Sequence, residues 1–204
     1  MFCIERFFPQ WRNLSIHESS PALGRGANRR LTKEAPAYAA SYYYADVAAG
    51  KIVNGIRCEN LEHLSFDDES FDLHITQDVF EHVFDPAAAF REIARTLRPG
   101  GAHVFTTPLV RRSEPTQFCT SLAPDGTVIH LTEPEYHVNP ISSEGSLVTV
   151  NWGYDITNFI FENSGLFTEI VLLDMLEFGI RAEYIEVLIA RKDAREVPCV
   201  IPYL

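Results

Sequence analysis

What most constrains this chain is the order in which its apolar stretches change period. Short apolar runs, such as FDLHIT at 71–76 and HVFTT at 103–107, are strand-length and bounded by polar or turn residues. Between them lie stretches whose apolar side chains recur every three or four positions, the spacing of one helix face. A parallel strand can follow another only through a crossover, and a helix is the usual one. The alternation therefore predicts an α/β fold in three layers, with helices on both faces of a mostly parallel sheet.

The first strand is expected at 13–17, followed by a helix over 21–35. Ser19-Ser20-Pro21 offers a hydroxyl cap and a proline suited to the first helical position, while Leu23, Ala27, Leu31 and Ala35 fall four apart and Pro36 stops the helix. Strands are read at 38–44, 55–58 and 71–76. Asp85-Pro86 opens the clearest helix, with Phe90, Ile93, Ala94 and Leu97 on one face, and Arg98-Pro99-Gly100-Gly101 ends it before the strand at 103–107. Residues 109–150 contain Pro115, Pro124, Pro134 and Pro140 with little periodicity and read as an irregular insertion of the kind that forms lids or binding loops. Asp155 then caps a short helix carrying Ile156, Phe159 and Ile160, and strands at 167–173 and 184–191, joined through Gly179, form an antiparallel edge. The length, 204 residues, suits a single domain over 1–204.

A net charge of −11 repels a phosphate backbone, so nucleic acid is excluded as a partner class. Four cysteines without a CxxC pair indicate neither a zinc knuckle nor a disulfide framework and fit a reducing cytoplasm. Glu5 and Arg6 interrupt any signal-peptide core, and no run of eighteen apolar residues occurs, so a soluble chain with no membrane partner is expected.

The stretch CENLEHLSFDDESFDLHITQDVFEHVFDPAAAFREIARTLRPGGAHVFTTP, residues 58–108, carries a resemblance. It has an acid after the third strand, an S-F-D entry to the fourth, D-V-x-E-H-V after it, and L-R-P-G-G before the fifth. Together these resemble the central segment of class I S-adenosylmethionine-dependent methyltransferases of the small-molecule, methyltransferase type 11 kind. The resemblance implies a Rossmann-like sandwich with a seven-stranded sheet, S-adenosylmethionine as cofactor, and a small-molecule or glycan acceptor. It assigns the adenine amino group to Glu59, with Asn60 and Leu61 beside it, and the methyl end to Gln77, Asp78 and His82. A carboxylate at a parallel strand's carboxyl end is well placed for an exocyclic amine; the other reading of Glu59 is a solvated acid. If a helical turn begins at Asp78, then Asp78 and His82 share a face, and the pair suits proton removal from a substrate hydroxyl. Otherwise Asp78 caps the turn and His82 packs beneath it. Glu81 is read as pointing elsewhere, in a structural role.

The departure is at the first strand, where the family's acid and G-x-G-x-G loop are replaced by His17-Glu18-Ser19-Ser20-Pro21, a beginning that resembles a subfamily variant. His17, Glu18, Ser19 and Ser20 are the candidates for the cofactor's amino-acid end; the other reading is a blocked loop. Asp46 is the nearest counterpart of the ribose-binding acid. In the insertion, Tyr136, His137, Asn139, Trp152 and Tyr154 read as a polar aromatic wall for a hydroxylated substrate, or as a loop folded on its own aromatics. HLTEPEYH, with His130, Glu133, Glu135 and His137, matches no fixed ligand spacing, so no metal is assigned. Only about a dozen residues precede the first strand, which leaves specificity to the insertion or to a neighbouring subunit, hence a homo-oligomer. The leading reading is O-methylation by an enzyme; the alternative is a non-catalytic binding module on the same scaffold with an altered cofactor loop.

Overall fold

The computed structural model of the chain describes residues 1–138 and 145–192. Helix α1 (Phe2–Phe7) and a 3-10 turn (Trp11–Asn13) lead into β1 (Ile16–Ser19), then α2 (Gly26–Glu34), β2 (Tyr38–Tyr42), β3 (Ile52–Val53), β4 (Ile56–Cys58), β5 (Phe71–Gln77), α3 (Pro86–Thr96) and β6 (Leu97–Thr106). The insertion contributes β7 (Gln117–Phe118), β8 (Thr120–Leu122), β9 (Val128–His130), β10 (Tyr136–His137), β11 (Ser146–Leu147) and β12 (Val150–Asn151). The chain then forms α4 (Ile156–Ser164), β13 (Phe167–Leu172) and β14 (Glu186–Arg191).

The main sheet has the order β13-β14-β6-β5-β1-β2-β4-β3. The five central strands from β6 to β4 are parallel, and β14, β13 and β3 are antiparallel additions. Eight strands stand where seven were expected. The extra one is β3, turned back onto β4 through Asn54-Gly55, both with positive φ (51° and 82°), as a two-residue hairpin turn requires. Strand β1 begins three residues later than expected because the 3-10 turn first carries Trp11, fully buried, onto the sheet. Helix α2 also starts later than expected, at Gly26 rather than 21. Ser20, Gly24 and Gly26 all have positive φ, the Ser20 amide donates to the Ser41 carbonyl, and the Tyr42 hydroxyl donates to the Pro21 carbonyl. Residues 20–25 are thus drawn toward β2 as a loop instead of winding into a first turn.

At α3 the expected cap is present: Asp85 accepts from the Ala88 amide at 2.9 Å and Pro86 occupies the first turn. Phe90 and Ile93 on α3, with Ile156 and Ile160 on α4, fill one face of the sheet against Phe105, Leu188 and Ala190. On the other face, α1, Trp11 and Leu31 of α2 cover Ile16, Leu73, Ile75, Val104 and Ile189. Three layers result. The insertion is more ordered than its prolines suggest, since β8 pairs with β9, β10 with β11 and β7 with β12, each antiparallel.

At the sheet's centre His17, His74 and His103 stand side by side in register on β1, β5 and β6, all buried. Their hydrogen bonds fix the tautomers of the first two. The Thr96 hydroxyl donates to the Glu92 carbonyl (2.8 Å), so it accepts from His74 Nε2–H (2.8 Å). His74 Nδ1 must then accept from His17 Nδ1–H (3.0 Å), and His17 Nε2 from the Ser41 hydroxyl (2.8 Å). His103 bonds Thr76 at 3.0 Å through Nε2, stacks on Phe105, and has no partner at Nδ1. Burial drives all three imidazoles toward the neutral form, His17 and His103 down to about 3.

An unfolded imidazole takes a proton below about pH 6.5 while the folded one does not, so each buried histidine lends stability that is present above that pH and lost as pH falls toward 3. His103→Leu removes one such group from an apolar pocket. The unfolding free energy from urea titration should fall about 2 kcal/mol less between pH 7 and pH 5 in this variant than in the unaltered chain. Equal acid sensitivity would mean that His103 is not held neutral in the fold.

Candidate functional site

Because β1, β2, β4, β5 and β6 run parallel, their carboxyl ends lie along one edge of the sheet, and the order of connection reverses between β1 and β5. In open α/β sheets the crevice at such a reversal is where ligands bind. Ser19 and Ser20 close β1 there, and Gln77 and Asp78, both exposed, close β5. Asp78 takes a positive φ (51°), its amide donates to the Thr106 carbonyl, and its carboxylate accepts from the Thr106 hydroxyl at 2.9 Å. The side chain is thereby fixed at the mouth of a cleft of ≈ 330 Å³ lined also by Thr107, Pro108, Tyr184 and Glu186. A larger cleft, ≈ 450 Å³, opens beside α2 among Asn28, Tyr38, Ala40 and Ile56, and contains none of the residues singled out from the sequence. Of the candidate site residues, Asp78 lines the smaller one.

After Asp78 the chain makes a tight turn, His82 N–H to Val79 O at 2.9 Å, in place of the expected helical turn, and no hydrogen bond or ion pair joins Asp78 to His82 among the described residues. The side chain that meets His82 is Glu81. It is only 3% exposed; Oε2 accepts from the Thr107 hydroxyl at 3.0 Å, and Oε1 has no hydrogen-bond partner. Glu81 Oε1 lies 3.7 Å from His82 Nε2 and 4.0 Å from His137 Nδ1. This corrects the sequence reading of Glu81 as pointing elsewhere. Burial pushes its carboxyl up to about 7, with the nearby Asp78 charge adding to the effect, and burial also lowers the His82 imidazole.

His137 reaches this turn from 55 positions further along because the insertion is stitched onto it. His82 Nδ1 donates to the Leu147 carbonyl (2.9 Å), Thr149 donates through N–H and hydroxyl to the carbonyls of Glu81 and Val83, and Trp152 Nε1 donates to the Phe80 carbonyl (3.2 Å). Strand β11, anchored in this way, carries β10 and with it His137. Gly145 (φ 82°) makes the approach possible, since a Cβ there would fall 2.7 Å from the His137 carbonyl oxygen.

Several sequence candidates are placed elsewhere. Glu59 is 1% exposed, and its carboxylate already accepts from Arg57 Nε, the Ser65 hydroxyl (2.6 Å) and the Ser65 amide (2.8 Å), which makes it a clamp on residues 57–65 and not a free acceptor. Asn60 accepts from the Glu62 amide, and Leu61 is packed in the core. His17 is consumed by the buried row. Glu18 and Ser19 are buried; Glu18 accepts from the Tyr38 hydroxyl, leaving Oε1 unpartnered, and its carboxyl is raised by burial. Asp46 is exposed in a turn beyond β2. The aromatic wall is not assembled. Trp152 is 0% exposed in the core, Tyr154 bonds Glu186 away from His137, Tyr136 is exposed on β10, and Asn139 lies outside the described residues. Of HLTEPEYH only His137 joins the cluster; its Nε2 lies 3.6 Å from Glu135.

Residues 22–105 match the family model described as a methyltransferase domain, the match beginning just past the unusual first loop. A ubiquinone biosynthesis O-methyltransferase of Parvibaculum lavamentivorans is 41% identical over 51 residues, which is 25% of this chain and 20% of that protein; the match thus spans about a fifth of the relative's length. Among solved structures, an S-adenosylmethionine-dependent methyltransferase from Mesorhizobium loti superposes with a TM-score of 0.57 at 18% identity, covering 93% of this chain and 96% of that one. One from Methanosarcina mazei gives 0.51 at 16% identity, covering 91% and 96%. Residues 22–105 are thus similar to a methyltransferase domain, and the chain has the fold of these structures.

The clamp at Glu59 carries a direct expectation. Glu59→Ala leaves the Arg57 guanidinium and the Ser65 amide without their acceptor and should lower the unfolding free energy by about 1–3 kcal/mol in urea titration. Unchanged stability would return Glu59 to the pool of free acceptors.

Proposed function

We propose that the chain is an S-adenosylmethionine-dependent methyltransferase acting on an oxygen of a small molecule or glycan. The observation that carries this reading is the reversal point of the sheet, where exposed Gln77 and Asp78 at the end of β5 adjoin the Glu81-His82 turn, within the stretch that matches the methyltransferase domain. The residues present fit the cofactor there in donor type: Ser20 at half-exposure for its amino-acid end, and Gln77 and Asp78 for its polar groups. Bound in this crevice, the cofactor supplies a methyl group on a positively charged sulfur. What the chain adds is position and proton removal. His82 keeps its proton on Nδ1, toward Leu147, and so presents a lone pair at Nε2 that can accept the acceptor's hydroxyl proton. The relative named as an O-methyltransferase supports oxygen over nitrogen as the acceptor atom. A charge of −11 argues for an acceptor without phosphate-backbone character, and no helix among the described residues is long and apolar enough to cross a membrane.

The closed first loop favours a second reading, a binding module that no longer takes the cofactor: Glu18 and Ser19 are buried and the Pro21 carbonyl is held by Tyr42. Calorimetric titration with S-adenosylmethionine and S-adenosylhomocysteine separates the two. Saturable binding of both, weakened by Asp78→Asn, is the expected outcome; absence of binding sinks the enzyme reading. With an acceptor in hand, His82→Gln should lower turnover by roughly 10²–10⁴ with cofactor affinity nearly intact. A variant that loses cofactor yet turns over normally at saturation would assign His82 to support of the site.

A further inference from the structure

Glu81, His82 and His137 form a grouping that methyl transfer as proposed does not need in full. One donor atom from each, Glu81 Oε1, His82 Nε2 and His137 Nδ1, lies within 4.8 Å of the other two. Tetrahedral ligands at about 2.0–2.1 Å from a zinc ion are ~3.3 Å apart. The observed 3.7 and 4.0 Å therefore need to close by less than about 1 Å.

The second observation is independent of this spacing. Glu81 Oε1 is buried in a residue 3% exposed, has no hydrogen-bond partner, and is aimed at the two imidazoles. Because His82 holds its proton on Nδ1 for the Leu147 carbonyl, the ring presents a lone pair to a carboxylate oxygen, and two lone pairs face each other. At 3.7 Å they are too far apart for a shared proton to serve. A cation relieves the conflict.

Each donor is also held from behind, as metal ligands usually are. Thr107 bonds the second oxygen of Glu81, the Leu147 carbonyl fixes the tautomer of His82, and Glu135, 3.6 Å from His137 Nε2, favours the tautomer that leaves Nδ1 free. The two rings meet edge to face with centroids 5.0 Å apart.

We propose that Glu81, His82 and His137 bind one divalent cation of the zinc class. Two imidazoles and one carboxylate form a three-ligand set that leaves a coordination position open, and imidazole donors disfavour magnesium and calcium. Thr107, which bonds Glu81, and Asp78 both line the cleft at the strand ends. What the cation does there rests on the methyltransferase reading: it draws the proton from an acceptor hydroxyl into water, and the oxygen pair then forms the bond to the methyl carbon while the carbon–sulfur pair stays on sulfur. His82 is in that case a ligand and not the base.

The test measures the cation alone, without cofactor or acceptor. Tag-free protein stripped with chelator is titrated with Zn²⁺ by calorimetry and with Co²⁺ by its visible d–d spectrum, against excess Mg²⁺. One tight site is expected. His137→Ala and Glu81→Gln should each weaken it by more than roughly 100-fold, and Thr107→Val by about 10–100-fold. His137 is half-exposed on a two-residue strand, so its variant keeps the test open if Glu81→Gln does not fold, with circular dichroism as the check. Absence of a tight site, or a site that survives His137→Ala unchanged, overturns the proposal. Cofactor titration is a separate measurement, so a chain that binds cofactor but no cation loses this proposal alone.

Discussion

A hydrogen-bond chain running in one direction from Ser41 through His17 and His74 to Thr96 ties β2, β1, β5 and α3 together, and it holds only while both imidazoles stay neutral. Protonating His74 would turn its acceptor nitrogen into a donor facing the His17 Nδ1–H, and protonating either ring would place a charge inside a layer lined by Phe66 and Phe71. The ends of β1 and β5, where the ligand crevice opens, are spaced by this chain. A sheet of apolar residues alone would pack there as well, but without a directional link from β2 across to α3. Polar residues at the centre thus set the register of the strands whose ends do the chemistry.

The insertion bears on the site through the same principle. Residues 149–152 donate to the backbone carbonyls of residues 80–83 at several points and the Leu147 carbonyl accepts from the His82 ring, so the strap over the Glu81-His82 turn is fixed by buried bonds, while β8 and β9 remain at the surface. Segments of this composition are often described as lids. Here one half is hydrogen-bonded onto the turn after β5, and what it delivers is a side chain, His137, to a turn far away in sequence.

The sheet, its parallel centre, the capped helix at Asp85 and the antiparallel end were legible in the sequence, because each depends on a local signal: period, cap or breaker. The late start of α2 was not, because its causes are tertiary. Tyr42 takes the Pro21 carbonyl and Ser41 the Ser20 amide, contacts that outweigh a plausible cap at Ser19-Ser20. Strand β3 is signalled by Asn54-Gly55 alone, since two residues are too few to show a period. Within the site, the position of Asp78 at a strand end followed from the motif. The roles of Glu59 and Trp152 did not, since a carboxylate is free or occupied according to neighbours such as Ser65, and an aromatic is wall or core according to what packs on it. Glu81 could be placed only with His137 in view, and nothing in either local sequence points to the other.

Glu81 also shows where stability and function pull apart. A buried carboxylate with one oxygen lacking a partner costs on the order of 1–3 kcal/mol, a substantial part of the 5–15 kcal/mol that a domain has to lose. An apolar residue among Phe80, Val83 and Trp152 would avoid that cost. The arrangement instead keeps Thr107 on one oxygen, aims the other at two imidazoles and fastens the strap that brings the second imidazole through three donors, the Thr149 amide and hydroxyl and the Trp152 indole. Local rules broken at one residue and supported by so many neighbours mark a place built for something other than folding. The unpartnered oxygen of Glu81 is where that purpose is expressed, since it faces two imidazoles in surroundings that suit a positively charged or proton-bearing guest.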